Sequence, residues 1–198
     1  MLIFSAENLA YFAVPKTGTT SVELALRARA DIVFAKGRKH MPAQRFHAKV
    51  APFLETAFSL RPDRVAVMRD PVDQLGSWYR YRTTAHLRGS QNSTAGISFD
   101  EFVAGYLSDE QPEYARVGSQ VRFMSDNKGN LGMTHLFRYD DIDALVRFLS
   151  LRLGKDIQLG QANVSPKAEL TLAPELQSAL RKAHPQDFDL YERLSPDA

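Results

Sequence analysis

Phe12-Ala13-Val14-Pro15-Lys16-Thr17-Gly18-Thr19-Thr20-Ser21 is the stretch on which the reading of this chain turns. An apolar segment, Ala10–Val14, runs into a short turn that carries one lysine, one glycine and a cluster of hydroxyls. Val22, Leu24, Ala25 and Leu26 follow as the apolar positions of a helix. A strand, a tight turn and a helix start form a cradle for an anion, because the first N–H groups of a helix lack internal partners and sit at the positive end of its dipole. Gly18 lets the main chain turn closely, Lys16 adds a full charge, and Thr17, Thr19, Thr20 and Ser21 add hydroxyl donors. An ordinary strand-to-helix turn with a Thr or Ser N-cap is the simpler alternative.

Outward from this point, strand-like and helix-like segments alternate. Ser21–Arg29 reads as a helix and Asp31–Ala35 as a short strand. Pro42–Leu60 is helical in character, with Pro52 expected to break or kink it. Arg64–Met68 is an apolar run of the kind found in strands buried on both faces, and Val72–Tyr81 reads as a helix. Thr84–Ile97 is polar and reads as a loop, either an acceptor-binding lid or a disordered surface loop. Ser98-Phe99-Asp100-Glu101 is a capping box opening a helix through Leu107, and a further helix is expected from Glu113 to Ser125. Thr134–Tyr139 reads as a strand, with Asp140 or Asp141 capping a helix to Leu153. Helices starting at Pro174 and ending near Leu194 complete the pattern. The order predicts an α/β fold, a mainly parallel central sheet with helices on both faces. Ligands of such sheets sit at the carboxyl ends of the strands, so Pro15–Ser21, Arg69–Ser77 and Asn163–Lys167 should converge there.

The second motif is Arg69-Asp70-Pro71-Val72-Asp73-Gln74-Leu75-Gly76-Ser77-Trp78-Tyr79, directly after the buried strand. Arg69 stands at the strand's carboxyl end and Pro71 suits the first helical position. A purely structural reading pairs Arg69 with Asp70 or Asp73.

Composition narrows the field. At 198 residues the chain is expected to form one domain with a substantial core. A net charge of +2 does not suggest nucleic acid as a partner, although Lys36, Arg38, Lys39, Arg45 and Lys49 crowd one acid-free segment. There are no cysteines, which excludes disulfides and thiolate zinc sites. No apolar run approaches the ~20 residues of a membrane span, and no signal-peptide pattern is present. The expectation is a cytoplasmic protein without integral membrane association; oligomeric state is left open.

The two motifs together resemble a known family. Pro15-Lys16-Thr17-Gly18-Thr19-Thr20-Ser21 is similar to the 5′-phosphosulfate loop of sulfotransferases, and Arg69-x-Pro71 followed by Ser77 and Tyr79 is similar to their 3′-phosphate motif. Leu136-Phe137-Arg138-Tyr139-Asp140-Asp141-Ile142 resembles the family's strand-to-helix "R-Y-E-D-L" segment, with Asp for Glu. Asn163-Val164-Ser165-Pro166-Lys167 resembles the "N-x-S" element of the carbohydrate-type branch. The resemblance implies a P-loop-like three-layer fold and the donor 3′-phosphoadenosine 5′-phosphosulfate. It implies that Lys16, Thr17, Gly18, Thr19, Thr20 and Ser21 hold the 5′-phosphate and sulfuryl group. Arg69 and Ser77 would hold the 3′-phosphate, and Ser165 and Lys167 would close over the nucleotide. His40, in the basic stretch, resembles the "K-H" of bacterial members.

In that chemistry an acceptor hydroxyl or amine attacks sulfur in line with the departing 5′-phosphate, and the bridging oxygen gains charge. Lys16 is the candidate to stabilise it. His40 is the candidate base, with His47, Glu55 and His86 as alternatives. No metal is required. The acceptor, a carbohydrate or other small molecule by the resemblance, is not identified. Two rivals stay open. One is a P-loop small-molecule kinase, although its lysine follows the final glycine whereas Lys16 precedes Gly18. The other is a non-catalytic nucleotide-binding module on the same fold.

Overall fold

The computed structural model describes residues 1–160 and 170–194. Its centre is a five-stranded sheet in the order β3-β1-β2-β4-β5. The strands are β1 (Leu2–Phe4), β2 (Leu9–Phe12), β3 (Ile32–Val33), β4 (Asp63–Met68) and β5 (His135–Arg138). β4 pairs in parallel with β2 on one side and β5 on the other, whereas β1 runs antiparallel to both β2 and β3. The sheet is therefore mainly parallel with one reversed strand. β1 is the element the sequence reading missed: three residues are too short to display a period, and only the hairpin with β2 reveals them.

Side-chain alternation divides the core in two. Ile3, Ala10, Phe12, Ala66 and Met68 face one side, where Phe46, Val50, Leu54 and Met124 cover them. Leu2, Phe4, Leu9, Tyr11, Val65 and Val67 face the other, against Val22, Leu26, Leu145 and Leu149. The first layer consists of α2 (Ala43–Arg45), α3 (Ala51–Phe58) and α6 (Gln120–Met124), joined by α9 (Pro185–Arg193) through Tyr191. The second consists of α1 (Thr19–Leu26) and α7 (Ile142–Arg152). Helices thus flank the sheet on both faces, as an α/β sandwich requires. Burying a Phe or Leu side chain in either layer contributes about 1.5–3 kcal/mol.

A third cluster stands outside the sheet. Leu75, on α4 (Pro71–Arg82), packs with Phe99, Phe102 and Tyr106 of α5 (Phe99–Leu107), Leu180 of α8 (Pro174–Ala183) and Phe188 of α9. The Ser98–Glu101 capping box forms as read, each partner closing on the other's backbone N–H.

One helical expectation is refined and another corrected. The regular α-helix is interrupted ahead of Pro52: the segment Phe46–Val50 widens into a π-helical turn and α3 restarts with the proline in its first turn, where no N–H is needed. The helix expected over Glu113–Ser125 is two short pieces, a 3₁₀ turn at Glu113–Ala115 and α6, separated around Gly118. Buried Asp187 of α9 dictates the restart. Its carboxylate accepts from Ser119 Oγ at 2.7 Å and from the Gln120 and Val121 N–H groups at 3.0 and 3.1 Å, satisfying the open end of α6 from 66 residues away. Among the described residues no helix is long and apolar enough to cross a membrane.

Candidate functional site

The carboxyl ends of β2 and β4 bring the two motifs into contact. Arg69 Nη1 donates to the Lys16 carbonyl at 3.1 Å, and Gln74 Nε2 reaches the Pro15 carbonyl at 3.4 Å. The convergence expected from topology is realised for Pro15–Ser21 and Arg69–Ser77. Ser165 and Lys167 lie outside the described residues.

Both Lys16 and Gly18 have left-handed backbone, with φ of 68° and 71°. For lysine that conformation is costly and marks a turn over-determined by its surroundings. Thr17 is fully buried and its hydroxyl donates to the Val14 carbonyl at 2.9 Å, so what it can offer a ligand narrows to its backbone. Gly18 is the N-cap residue of α1, and no side chain caps that helix. In its first turn the Ser21 N–H already donates to the Gly18 carbonyl at 3.1 Å, so what an external acceptor can meet there narrows to the N–H groups of Thr19 and Thr20. A Cβ at Gly18 would sit 2.9 Å from Tyr139 Cε2, so the close approach itself requires glycine. The Tyr139 ring also carries the Arg69 guanidinium, 4.5 Å from its centroid. Tyr139 thus joins the loop to the arginine, a role within the Arg138–Asp141 segment that its sequence does not announce.

Lys16 points at α4. Its ammonium lies 4.3 Å from the Tyr81 ring centroid and 5.4 Å from that of Trp78. Half-buried Trp78 is therefore a wall of the site as much as part of the core. Burial, followed by the positive charges of Arg69 and Arg80, lowers the Lys16 pKa to about 8. Three cations thus share one region. Asp73 stands between two of them, 2.5 Å from Arg69 Nε and 3.6 Å from Arg80 Nη2. The structural pairing of Arg69 with Asp73 is therefore real, and coexists with the Lys16 contact.

Arg69 is held from behind as well. Buried Gln120 accepts from its N–H at 2.9 Å and donates to its carbonyl at 2.7 Å. Ser77 is buried on α4, one turn before Arg80 and one turn after Asp73. Sequence reasoning missed Arg80 and Gln120. For Arg80 the spacing 73, 77, 80 was a readable signal, since it places these side chains on one helix face. For Gln120 there was none.

His40 sits beside the loop. Its Nδ1 donates to the Ala13 carbonyl at 2.7 Å, which fixes the tautomer and leaves Nε2 with a free lone pair. Desolvation of the ring, reinforced by Lys39 and the amino terminus, holds its pKa below the usual histidine value. Lys39 itself spans to α1, 2.8 Å from Glu23 and 3.3 Å from Thr20 Oγ1. The alternatives divide by position. Glu55 is paired with Arg61, just before β4 begins, and His47 lies against Gly132, just before β5 begins. Both belong to the opposite edge of the sheet. His86 remains on the correct side, its ring 5.7 Å from that of Tyr81. It is carried by the loop 84–97, which folds back onto α4 through Thr94 Oγ1, donating to the Tyr79 carbonyl at 2.8 Å, and Tyr79 Oη, donating to the Ile97 carbonyl at 2.8 Å.

Asp141 caps α7, its carboxylate accepting from the Ala144 N–H at 3.3 Å, whereas Asp140 pairs with Arg138. Among the described residues no three His, Asp or Glu side chains gather in a metal-binding group. A groove of about 270 Å³ lies beside Asp70, but its arginines, Arg138 and Arg181, are already paired with Asp140 and Glu192.

No family model matches the chain, and no curated protein matches it. Among solved structures, the crystal structure of a sulfotransferase from Alicyclobacillus acidocaldarius aligns over 97% of this chain and 81% of that one, with a TM-score of 0.45 and 17% sequence identity.

Proposed function

We propose that this protein is a sulfotransferase using 3′-phosphoadenosine 5′-phosphosulfate to modify a hydroxyl or amine of a small-molecule or carbohydrate acceptor. The observation that carries the reading is the contact between two distant motifs: Arg69 donates to the Lys16 carbonyl, so one cationic side chain and one uncapped helix start face the same region. A bisphosphorylated nucleotide has two anionic ends that need two such places.

The residues fit that ligand. The open first turn of α1 and the turn at Gly18 suit the 5′-phosphate, and Arg69 suits the 3′-phosphate. The donor supplies an activated sulfuryl group, whose transfer leaves 3′,5′-adenosine bisphosphate. Lys16 neutralises charge growing on the bridging oxygen as the S–O bond breaks, an interaction stronger in the transition state than in the ground state. Its long stem lets the ammonium leave the Tyr81 face and follow that oxygen. His40 Nε2 accepts the acceptor's proton as the new O–S or N–S bond forms, while Ala13 keeps the ring in the required tautomer.

The test is a transfer assay with sulfur-labelled donor against a broad acceptor panel, with calorimetric titration of 3′,5′-adenosine bisphosphate and AMP. Transfer together with tighter binding of the bisphosphate is the expected result. Equal affinity for the two nucleotides refutes the site assignment; donor binding without transfer to any acceptor favours the non-catalytic module.

A further inference from the structure

Asp73 is an acid placed inside a cationic site. Its carboxylate bridges Arg69 and Arg80, 2.5 and 3.6 Å away. The two guanidinium side chains are largely buried, at 14% and 18% exposure, whereas Asp73 is 49% exposed. Its position is in the first turn of α4, where the N-terminal end of a 12-residue helix also favours negative charge. Asp73 is not needed as the helix cap, because Asp70 fills that role by accepting from the Asp73 N–H at 2.9 Å. Two shielded arginines thus hold the Asp73 carboxylate at the start of α4.

We infer that Arg69 and Arg80 form a two-armed clamp for a phosphate group beyond the one held by the loop at Gly18, and that Asp73 occupies the clamp until the ligand displaces it. The inference rests on the proposed donor site and adds to it a second arm and an internal competitor. A phosphate brings more charge and more acceptor atoms than a carboxylate, so it wins the exchange. To admit the phosphate, Asp73 swings towards solvent, to which it is already 49% exposed. The arrangement selects for doubly charged ligands, because a weak or singly charged anion gains little over the carboxylate already present.

The variants Asp73→Asn and Arg80→Gln test this, with Arg80→Lys as a second substitution that keeps the charge but not the guanidinium fork. Calorimetry with 3′,5′-adenosine bisphosphate, AMP and inorganic pyrophosphate is the readout, and urea melts confirm folding. Asp73→Asn should tighten binding of the bisphosphate and of pyrophosphate about fivefold, the scale of one partly exposed ion pair, while leaving AMP nearly unchanged. Arg80→Gln should weaken the bisphosphate at least tenfold and Arg80→Lys less. Unchanged or weaker binding in Asp73→Asn overturns the competitor role and makes Asp73 a positioning residue. If the wild type does not prefer the bisphosphate over AMP yet pyrophosphate still tightens in Asp73→Asn, the clamp stands and the nucleotide assignment falls.

Discussion

Gly18→Ala is the substitution on which the site's geometry can be tested most directly. Two separate effects follow. At a φ of 71° an L-residue costs roughly 1–2 kcal/mol relative to glycine. The new methyl would also lie 2.9 Å from Tyr139 Cε2, so the ring must retreat by some tenths of an ångström, at a cost on the order of 1 kcal/mol. The sum is a destabilisation of about 2–3 kcal/mol, readable as a lower urea midpoint at constant slope. The ring also supports Arg69 from 4.5 Å, so bisphosphate affinity should drop by more than tenfold even where the protein remains folded. A double-mutant cycle with Tyr139→Ala separates the parts. Removing the ring should restore about 1 kcal/mol in the Gly18→Ala background and leave the backbone cost in place. A Gly18→Ala variant within about 0.5 kcal/mol of wild type refutes the left-handed turn, and strict additivity with Tyr139→Ala refutes the clash.

Lys16→Ala should lower kcat by several orders of magnitude with a much smaller change in donor affinity, as single-turnover kinetics would show; equal losses in both would remove its transition-state role. Arg69→Ala should weaken 3′,5′-adenosine bisphosphate in calorimetry but hardly change AMP, and a uniform loss contradicts its place at the 3′-phosphate. kcat/KM should be bell-shaped in pH. The falling limb passes through about 8 as Lys16 loses its proton, and the rising limb, below the usual histidine value, vanishes in His40→Ala; a rising limb that survives in that variant shifts the base to His86. Because the Lys16 pKa is depressed in the folded state, the unfolded chain binds more protons above pH 8, so stability should rise with pH there in wild type and not in Lys16→Met melts. Asp187→Ala removes an acceptor of three hydrogen bonds and should cost about 2–4 kcal/mol in urea denaturation, with Asp187→Asn losing less.

The parts of this molecule that local pattern governs were open to reading. The buried run of β4, the capping box before α5 and the proline-led start of α4 each carry their cause within a few neighbouring residues. The convergence of Lys16 and Arg69 followed from topology, because parallel neighbours end at the same edge of the sheet. What escaped was set at a distance. α6 begins where it does because of Asp187, and Gln120 braces Arg69 across 51 residues. The Thr17 hydroxyl, a ligand donor by type, is engaged with the Val14 carbonyl, and Glu55, a base by type, is paired with Arg61 just before β4 begins. Residue type suggests a role, whereas only placement can assign it.

The pairing pattern of the sheet has one more consequence, for how the molecule is made. β1 and β2 meet across a four-residue turn, but β2 must find β4 some 54 positions onward, and β4 must find β5 after a further 70. Chain closures of that length come late and slowly on the path to the native state. Lys16 and Arg69 follow the very strands that are last to join. Affinity for a nucleotide should therefore be acquired only in the final step of refolding, which makes ligand capture in a stopped-flow experiment a clock for completion of the sheet.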